Sequence, residues 1–373
     1  MIRKEMAQFV VEIAKDSAAA LERCLSELGV SEYLTQVARS VVGRETNGIV
    51  AVFKPVTLEE DPLTMVSFLV PPTEVEPVAT YIVDQLDLNV PGQGTLKVYS
   101  VSVGINPDGP QADWATVRPP AGNGERVLLL DNVSEIVSIV QRGEGTNISS
   151  SALNLGQSVP SVTFGIGRGL REKLNLIRIT FPRDKEVMRI TANADEAGDV
   201  FDQLVDAGRL DEPGKGFIYL SPMQRALPNT LLFRGSQRHA ATMEQVIQAI
   251  DSIHGSAAWR QRRTDTQSTG GSQRKYLEDM DEIAVHIADG QSQRLVLGAM
   301  SAGAAGATIS KARLVRLSGE EKSAAGLEVL YIIVPSAATD TILDAVAQEG
   351  LWEEKLNGGA TVRPVRKACT YLG

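Results

Sequence analysis

A unit of strand, helix, glycine turn and strand occurs three times in this chain, and any fold must place all three. The stretches are "LTMVSFLVPPTEVEPVATYIVDQLDLNVPGQGTLKVYSV" from Leu63, "KEVMRITANADEAGDVFDQLVDAGRLDEPGKGFIYLSPM" from Lys185 and "EVLYIIVPSAATDTILDAVAQEGLWEEKLNGGATVRPVR" from Glu328. They align without a gap. Pro91, Pro213 and Leu356 coincide, as do Gly94, Gly216 and Gly359. The apolar helix positions Val78, Val200 and Leu343 coincide too, followed by Ile82, Leu204 and Ala347. Each stretch opens with a period-2 or continuously apolar run, which reads as a strand. Apolar residues at spacings of three and four then give a helix, and the glycine turn ends it.

An upstream half-unit recurs as well. It begins at Glu135 as "EIVSIVQRGEG" and at Glu282 as "EIAVHIADG". Gly143 and Gly290 pair, each thirteen residues before Gly156 and Gly303. The next strand carries Thr163 to Arg168 in one copy and Thr308 to Arg313 in the other. The first copy is weaker. Asp16 takes the first glycine place, Gly29 the second, and Leu34 to Arg39 keeps the spacing. A complete copy is therefore β-α-β, a loop, then β-α-β, the ferredoxin-like split pattern. The expected fold class is α+β, with three ferredoxin-like (βαββαβ) domains closing into an intramolecular pseudo-trimer. Two helices should cover one face of each four-stranded antiparallel sheet. The opposite face should be largely apolar and should seek a partner.

The expected boundaries are a divergent domain over 1–105, a linker over 106–125, a domain over 126–232, a helix with a basic polar linker over 233–278, and a domain over 279–373. The first linker is rich in Pro and Gly. Within the second, "TMEQVIQAIDSIHG" has an apolar stripe, with Thr242 and Gln245 as a capping box and Gly255 as a stop. From Phe233 to Lys275 there are seven Lys/Arg against three Asp/Glu, a local net of +4. That run is either a dock for an acidic partner or a solvated linker. The chain as a whole carries a formal net charge of −9, which argues against a general nucleic-acid binder. Its two cysteines give no disulfide framework and suggest a reducing compartment. No apolar run is long enough to span a membrane, so a cytoplasmic protein is expected.

The middle copy, through "IVSIVQRGEG", "TFGIGRG" and "PGKGFIYLSP", resembles the P-II nitrogen-regulatory signalling family. The third copy is similar through "AGAAGATISKAR", "LEVLYIIVP" and its Gly-Gly turn. These two cover about half the chain, and the first copy joins them mainly through the repeat. The resemblance implies a trimer of ferredoxin-like units that binds adenine nucleotides in the clefts between them. It implies a loop after the second strand that partners read, and a glycine turn that lies at the phosphates. Carried over by position, the middle turn is Gly214, Lys215 and Gly216. Thr163 would line the cleft and Gly169 would open the loop. Arg225 would stand for the basic residues after the last strand. In the third copy the matches are Thr308, Gly359, Arg363 and Arg366, and in the first Gly92, Gln93 and Gly94. Arg39, Arg168 and Arg313 recur at one place and either face the clefts or form boundary salt bridges.

This sequence departs from the family pattern. Lys215 and Phe217 replace the acidic residue between the glycines and the Lys after them, and Asn357 replaces the third copy's first glycine. The loops "LREKLNLIRITFPRD" and "VRLSGEEKSAAG" have no counterpart of the modifiable tyrosine or the magnesium-linked glutamine.

The turn itself has two readings. Glycines, exposed N–H groups and Lys215 suit an anion. Equally, the turn only converts a helix into a strand, as its recurrence as "PGQG" allows. No nucleophile elbow, Walker loop or metal-spaced set of His239, His254 and His286 with the cysteines is present in the sequence, so no catalytic or metal residues are assigned. The expectation is a signalling protein whose effector is a small anion such as ATP, ADP or AMP, with a protein partner of unknown identity. The alternative is a structural or interaction protein that keeps the fold without a ligand. A trimer of the divalent-cation tolerance type is a third option, against which the scattered His and Cys argue.

Overall fold

The computed structural model describes residues 2–45, 56–106, 117, 129–169, 183–234, 274–318 and 321–372. The helix expected over 242–255 and the loop from 170 to 182 lie outside these residues.

The elements of the first part are β1 (Ile2–Ala14), α1 (Ala18–Glu27), β2 (Glu32–Glu45), β3 (Val56–Val70), α2 (Val75–Gln85) and β4 (Gly94–Ile105). The second part holds β5 (Val133–Gln141), α3 (Thr146–Asn154), β6 (Ser161–Gly169), β7 (Asp184–Asn193), α4 (Ala197–Gly208) and β8 (Gly216–Met223). Two short strands follow, β9 (Arg225–Leu227) and β10 (Phe233–Arg234). The third part holds β11 (Met280–Ala288), α5 (Ser292–Ser301), β12 (Gly306–Ser318), β13 (Glu321–Pro335), α6 (Thr339–Gln348), β14 (Gly359–Val365) and β15 (Lys367–Cys369). The fold is mixed α+β. Each part has its first strand between its third and its last, the order expected of ferredoxin-like units: β2-β3-β1-β4, β6-β7-β5-β8 and β12-β13-β11-β14.

Alternation along the strands sorts the two faces. In β1, Phe9, Val11 and Ile13 turn toward Leu21 and Leu25 of α1 and Val78 and Ile82 of α2, forming one core. Ile136 and Val140 of β5 meet Phe201 and Leu204 of α4. Ile283, Val285 and Ile287 of β11 meet Leu295 of α5 and Leu343 of α6. Aliphatic side chains fill all three cores, with ring stacking confined to pairs such as Phe9 on Phe68.

Strand pairing also runs between the parts. β2 pairs with β6 at Arg39↔Val162 and with β12 at Arg313↔Thr35, and β12 pairs with β6 at Ala307↔Arg168. At the other edges, β9 pairs with β4, β15 with β8, and β14 with β4. Arg39, Arg168 and Arg313 thus each stand where two parts meet. Arg39 pairs with Glu60 at 2.5 Å and lies over the Phe164 ring at 5.0 Å.

The face opposite the helices is largely apolar, with Val101, Val137 and Val329 among its residues, but charged and polar groups are set into it. Gln8, Glu135 and Glu282 occupy it, with Lys97, Arg189 and Arg363. Neighbouring parts supply the opposite charges, which is the condition for burying charge at all.

Candidate functional site

The sequence singles out the glycine turns as candidate sites. Gly92, Gln93 and Gly94 line a cleft of about 290 Å³ between the first and second parts. Lys15 and Asp16 after β1, Ser40 and Asp61 of the β2–β3 hairpin, and Asn229, Leu231 and Arg234 of the second part complete it. The turn's donors are already committed. The Gly92 N–H donates to Asn229 Oδ1 at 2.9 Å, and the Gln93 N–H donates to the Val90 carbonyl at 3.2 Å. Leu231 covers Gly92, where an added Cβ would meet Leu231 Cδ2 at 2.8 Å. Thr95 Oγ1 accepts from the Asn229 N–H at 3.1 Å, so the tail is tied down at both ends of the turn. Arg234 is held by Asp61 and Glu59, which raises its pKa chiefly through the Asp61 hydrogen bond.

The middle turn is tied in the same way. Gly214 accepts from Gln141 Nε2 at 3.0 Å, and the Gly216 carbonyl accepts from Thr370 Oγ1 at 2.9 Å. Lys215 is half-buried, with Glu144 Oε1 at 3.7 Å. In the third turn the His286 imidazole packs against Gly359 in the space a side chain would take. The remaining carried-over residues lie elsewhere. Arg225 pairs with Glu76 of α2 at 2.8 Å, and Arg366 N–H donates to the Leu220 carbonyl at 2.8 Å. Thr163 is buried and accepts from Arg189 Nη1 at 2.8 Å. Thr308 is buried on β12, and Gly169 pairs with Gly306 at the boundary between β6 and β12.

His286 gives the fold a pH dependence. Burial, with Arg316 adding positive charge, lowers its pKa from 6.5 to about 4. The unfolded chain takes up a proton at higher pH than the folded one. Stability should therefore be full above about pH 6.5 and decline until about pH 4, by about 1–3 kcal/mol. His286→Gln should flatten that window in urea titrations at several pH values. An unchanged slope would show that other groups cause it.

A second constellation joins the three parts at the centre. Lys97 Nζ lies 2.8 Å from Glu12 Oε1 and 3.1 Å from Glu135 Oε1. Lys97, Glu12 and Glu135 are all buried, at 2%, 3% and 0% side-chain exposure, so the triad has almost no water to fall back on. Ser161 Oγ, from the second part, donates to Glu12 at 2.9 Å. Arg363 of the third part lies 2.8 Å from Glu282 and 3.4 Å from Glu135 Oε2, and sits 4.5 Å over the Tyr99 ring. Tyr219 donates to Glu282. Despite desolvation, Lys97 and Arg363 hold Glu135 down at a pKa of about 2. Burial pushes the Tyr99 and Tyr219 hydroxyls well up, so both remain protonated donors. Arg363, expected beside a phosphate, is therefore committed to carboxylates at the centre.

Sequence reasoning missed this network. The signal was present, because Glu135 and Glu282 interrupt apolar strands at matched positions, each eight residues before its glycine. Among the described residues, no group of three or more His, Cys, Asp and Glu is arranged to hold a metal. Cys24 and Cys369 are buried free thiols. No helix of the described residues is long and apolar enough to cross a membrane.

No family model and no curated protein matches the chain. Among solved structures, it is similar to PII of Arabidopsis thaliana bound to citrate, at 19% identity over 25% of this chain and 76% of that one, with a TM-score of 0.19. It is also similar to aspartate kinase from Synechocystis, at 8% identity over 68% of this chain and 49% of the kinase, with a TM-score of 0.20. TM-scores this low do not equate two structures, and neither likeness identifies a ligand.

Proposed function

We propose that the chain is a PII-like regulatory protein, a pseudo-trimer of three fused units, that binds a small effector in the cleft between its first and second units. The cyclic pairing of β2, β6 and β12 supports the threefold reading. The observation that carries the functional reading is the cleft of about 290 Å³ at Gly92–Gly94, walled by the tail of the next unit. Its described charges are Glu12, Asp16 and Asp61 against Lys15 and Arg234, so it disfavours a multiply charged phosphate tail. An adenine nucleotide with one phosphate, AMP or cyclic AMP, fits that balance better than free ATP. Effector binding shifts the tail Asn229–Arg234, and a partner protein reads the change.

Calorimetry with AMP, cyclic AMP, ADP and ATP, with and without magnesium, tests the reading. Saturable binding of AMP or cyclic AMP is expected, and it should vanish in Gln93→Trp, where a large side chain fills the cleft from an exposed position. Absence of heat for all four removes the effector.

A second reading, a ligand-free scaffold that binds a protein, is favoured by one set of contacts. Asn229 on Gly92, Thr370 on Gly216 and His286 on Gly359 occupy all three turns with the chain's own groups. It predicts no nucleotide response in the wild type.

A further inference from the structure

The central constellation borders a cavity of about 140 Å³, separate from the cleft at Gly92–Gly94. Its polar wall includes Arg189, Arg363, Glu282, Tyr331 and Gln36, and its apolar wall includes Leu34, Leu69 and Val329. The two guanidinium groups differ. Arg363 is committed to Glu282 and Glu135. Arg189, 6% exposed, donates to the neutral Thr163 hydroxyl, and among the described residues no carboxylate lies within ion-pair distance of it. Arg189 lies 5.6 Å over the Tyr331 ring, and Glu135 attracts it from beyond ion-pair distance, while Glu135 and Glu282 are directly engaged by Lys97, Arg363 and Tyr219.

A buried cation without an ion-pair partner, facing a cavity, is an unusual arrangement in a folded interior. Gln36, whose Oε1 accepts from the Tyr331 hydroxyl at 3.3 Å, has its Nε2 buried with no acceptor among the described residues. Two donors thus face one space, whose wall joins aliphatic side chains such as Leu34, Leu69 and Val329 to polar ones such as Glu282 and Tyr331. That is the pattern of a small-ligand pocket, in which a few polar groups orient an apolar body.

We propose that this cavity binds a small carboxylate with a short branched hydrocarbon body, its carboxylate on Arg189 and Gln36 and its body against Leu34, Leu69 and Val329. A guanidinium provides parallel donors matched to a carboxylate. Two sources share this chemistry, a plain monocarboxylate and an apolar α-amino acid. The carboxylates of Glu135 and Glu282, which also line the cavity, favour the amino acid, whose ammonium they would neutralise.

Isovalerate, L-leucine and isoamyl alcohol, added to the full chain, separate the cases by thermal shift and calorimetry. Either acid should bind saturably while the alcohol, with the same body and no carboxylate, should not. Leucine tighter than isovalerate assigns the amino acid, and the reverse assigns the plain acid. Arg189→Met should weaken binding by at least about tenfold. Ser67→Leu narrows the cavity without touching an ion pair, and it should also abolish binding, which decides the matter if the Arg189 variant does not fold. Gln93→Trp should leave binding unchanged, so failure of the nucleotide cleft is read separately. Binding of neither acid, equal binding of the alcohol, or wild-type affinity in either cavity variant would overturn the proposal.

Discussion

Replacing Lys97 with methionine is expected to cost about 3–5 kcal/mol, because removing one member of a buried ion pair leaves the others charged and unpaired. Lys97 lies between Glu12 and Glu135, all three buried. Methionine keeps most of the volume, so the loss reports charge and not a cavity. Arg225→Ala removes an exposed pair with Glu76 and should cost only about 0–1 kcal/mol. The two variants compared in urea denaturation test the contrast, and equal losses would mean that the centre contributes no more than the surface. The acid limb should follow. Glu135 has a folded pKa of about 2 against an ordinary 4.5, so its contribution is full above about pH 4.5 and disappears as pH falls through 2. Protonation then leaves Lys97 and Arg363 short of a counter-charge. In Lys97→Met that acid sensitivity should shrink, because Glu135 has lost its main stabilising charge.

The second large effect concerns the middle glycine turn. Gly216→Val should destabilise the chain by about 3 kcal/mol. Gly216 has φ +150°, and an added Cβ would meet the Ile139 carbonyl oxygen at 2.5 Å. Lys215→Ala, by contrast, removes a half-exposed side chain whose nearest carboxylate is 3.7 Å away, and should change stability by less than about 1 kcal/mol. Denaturation midpoints of the two variants separate a turn demanded by the backbone from one kept for a cation. A large loss in Lys215→Ala with a tolerated Gly216→Val would reverse that assignment. The geometry favours the backbone, since Gln141 and Thr370 already hold the turn's carbonyls.

These two cases also show which features the sequence made legible. Element order was readable because it rests on local periodicity: Phe9, Val11 and Ile13 alternate, and Val78 and Ile82 are one helical turn apart. Matched glycines such as Gly94 and Gly216 located the turns for the same reason. The partners of those turns were not readable. Asn229 reaches Gly92 across 137 positions and Thr370 reaches Gly216 across 154, and no local pattern reports such contacts. Arg363 was the clearest misplacement. Its position after the last glycine suggested a phosphate ligand, but strand alternation turns it to the inner face, where Glu282 and Glu135 wait. Arg189 gave no signal, because a single basic residue in "VMRITAN" is ordinary for a half-exposed strand.

Native mass spectrometry of the full chain with AMP tests the central claim most directly, because it counts bound molecules. The account predicts a single saturable AMP per chain, since the first turn borders a cleft with space while Thr370 and His286 occupy the other two turns. That AMP should be absent in Gln93→Trp. Three bound molecules would show that the occupied turns open on binding, and none would leave the chain as a scaffold without an effector at its unit boundaries.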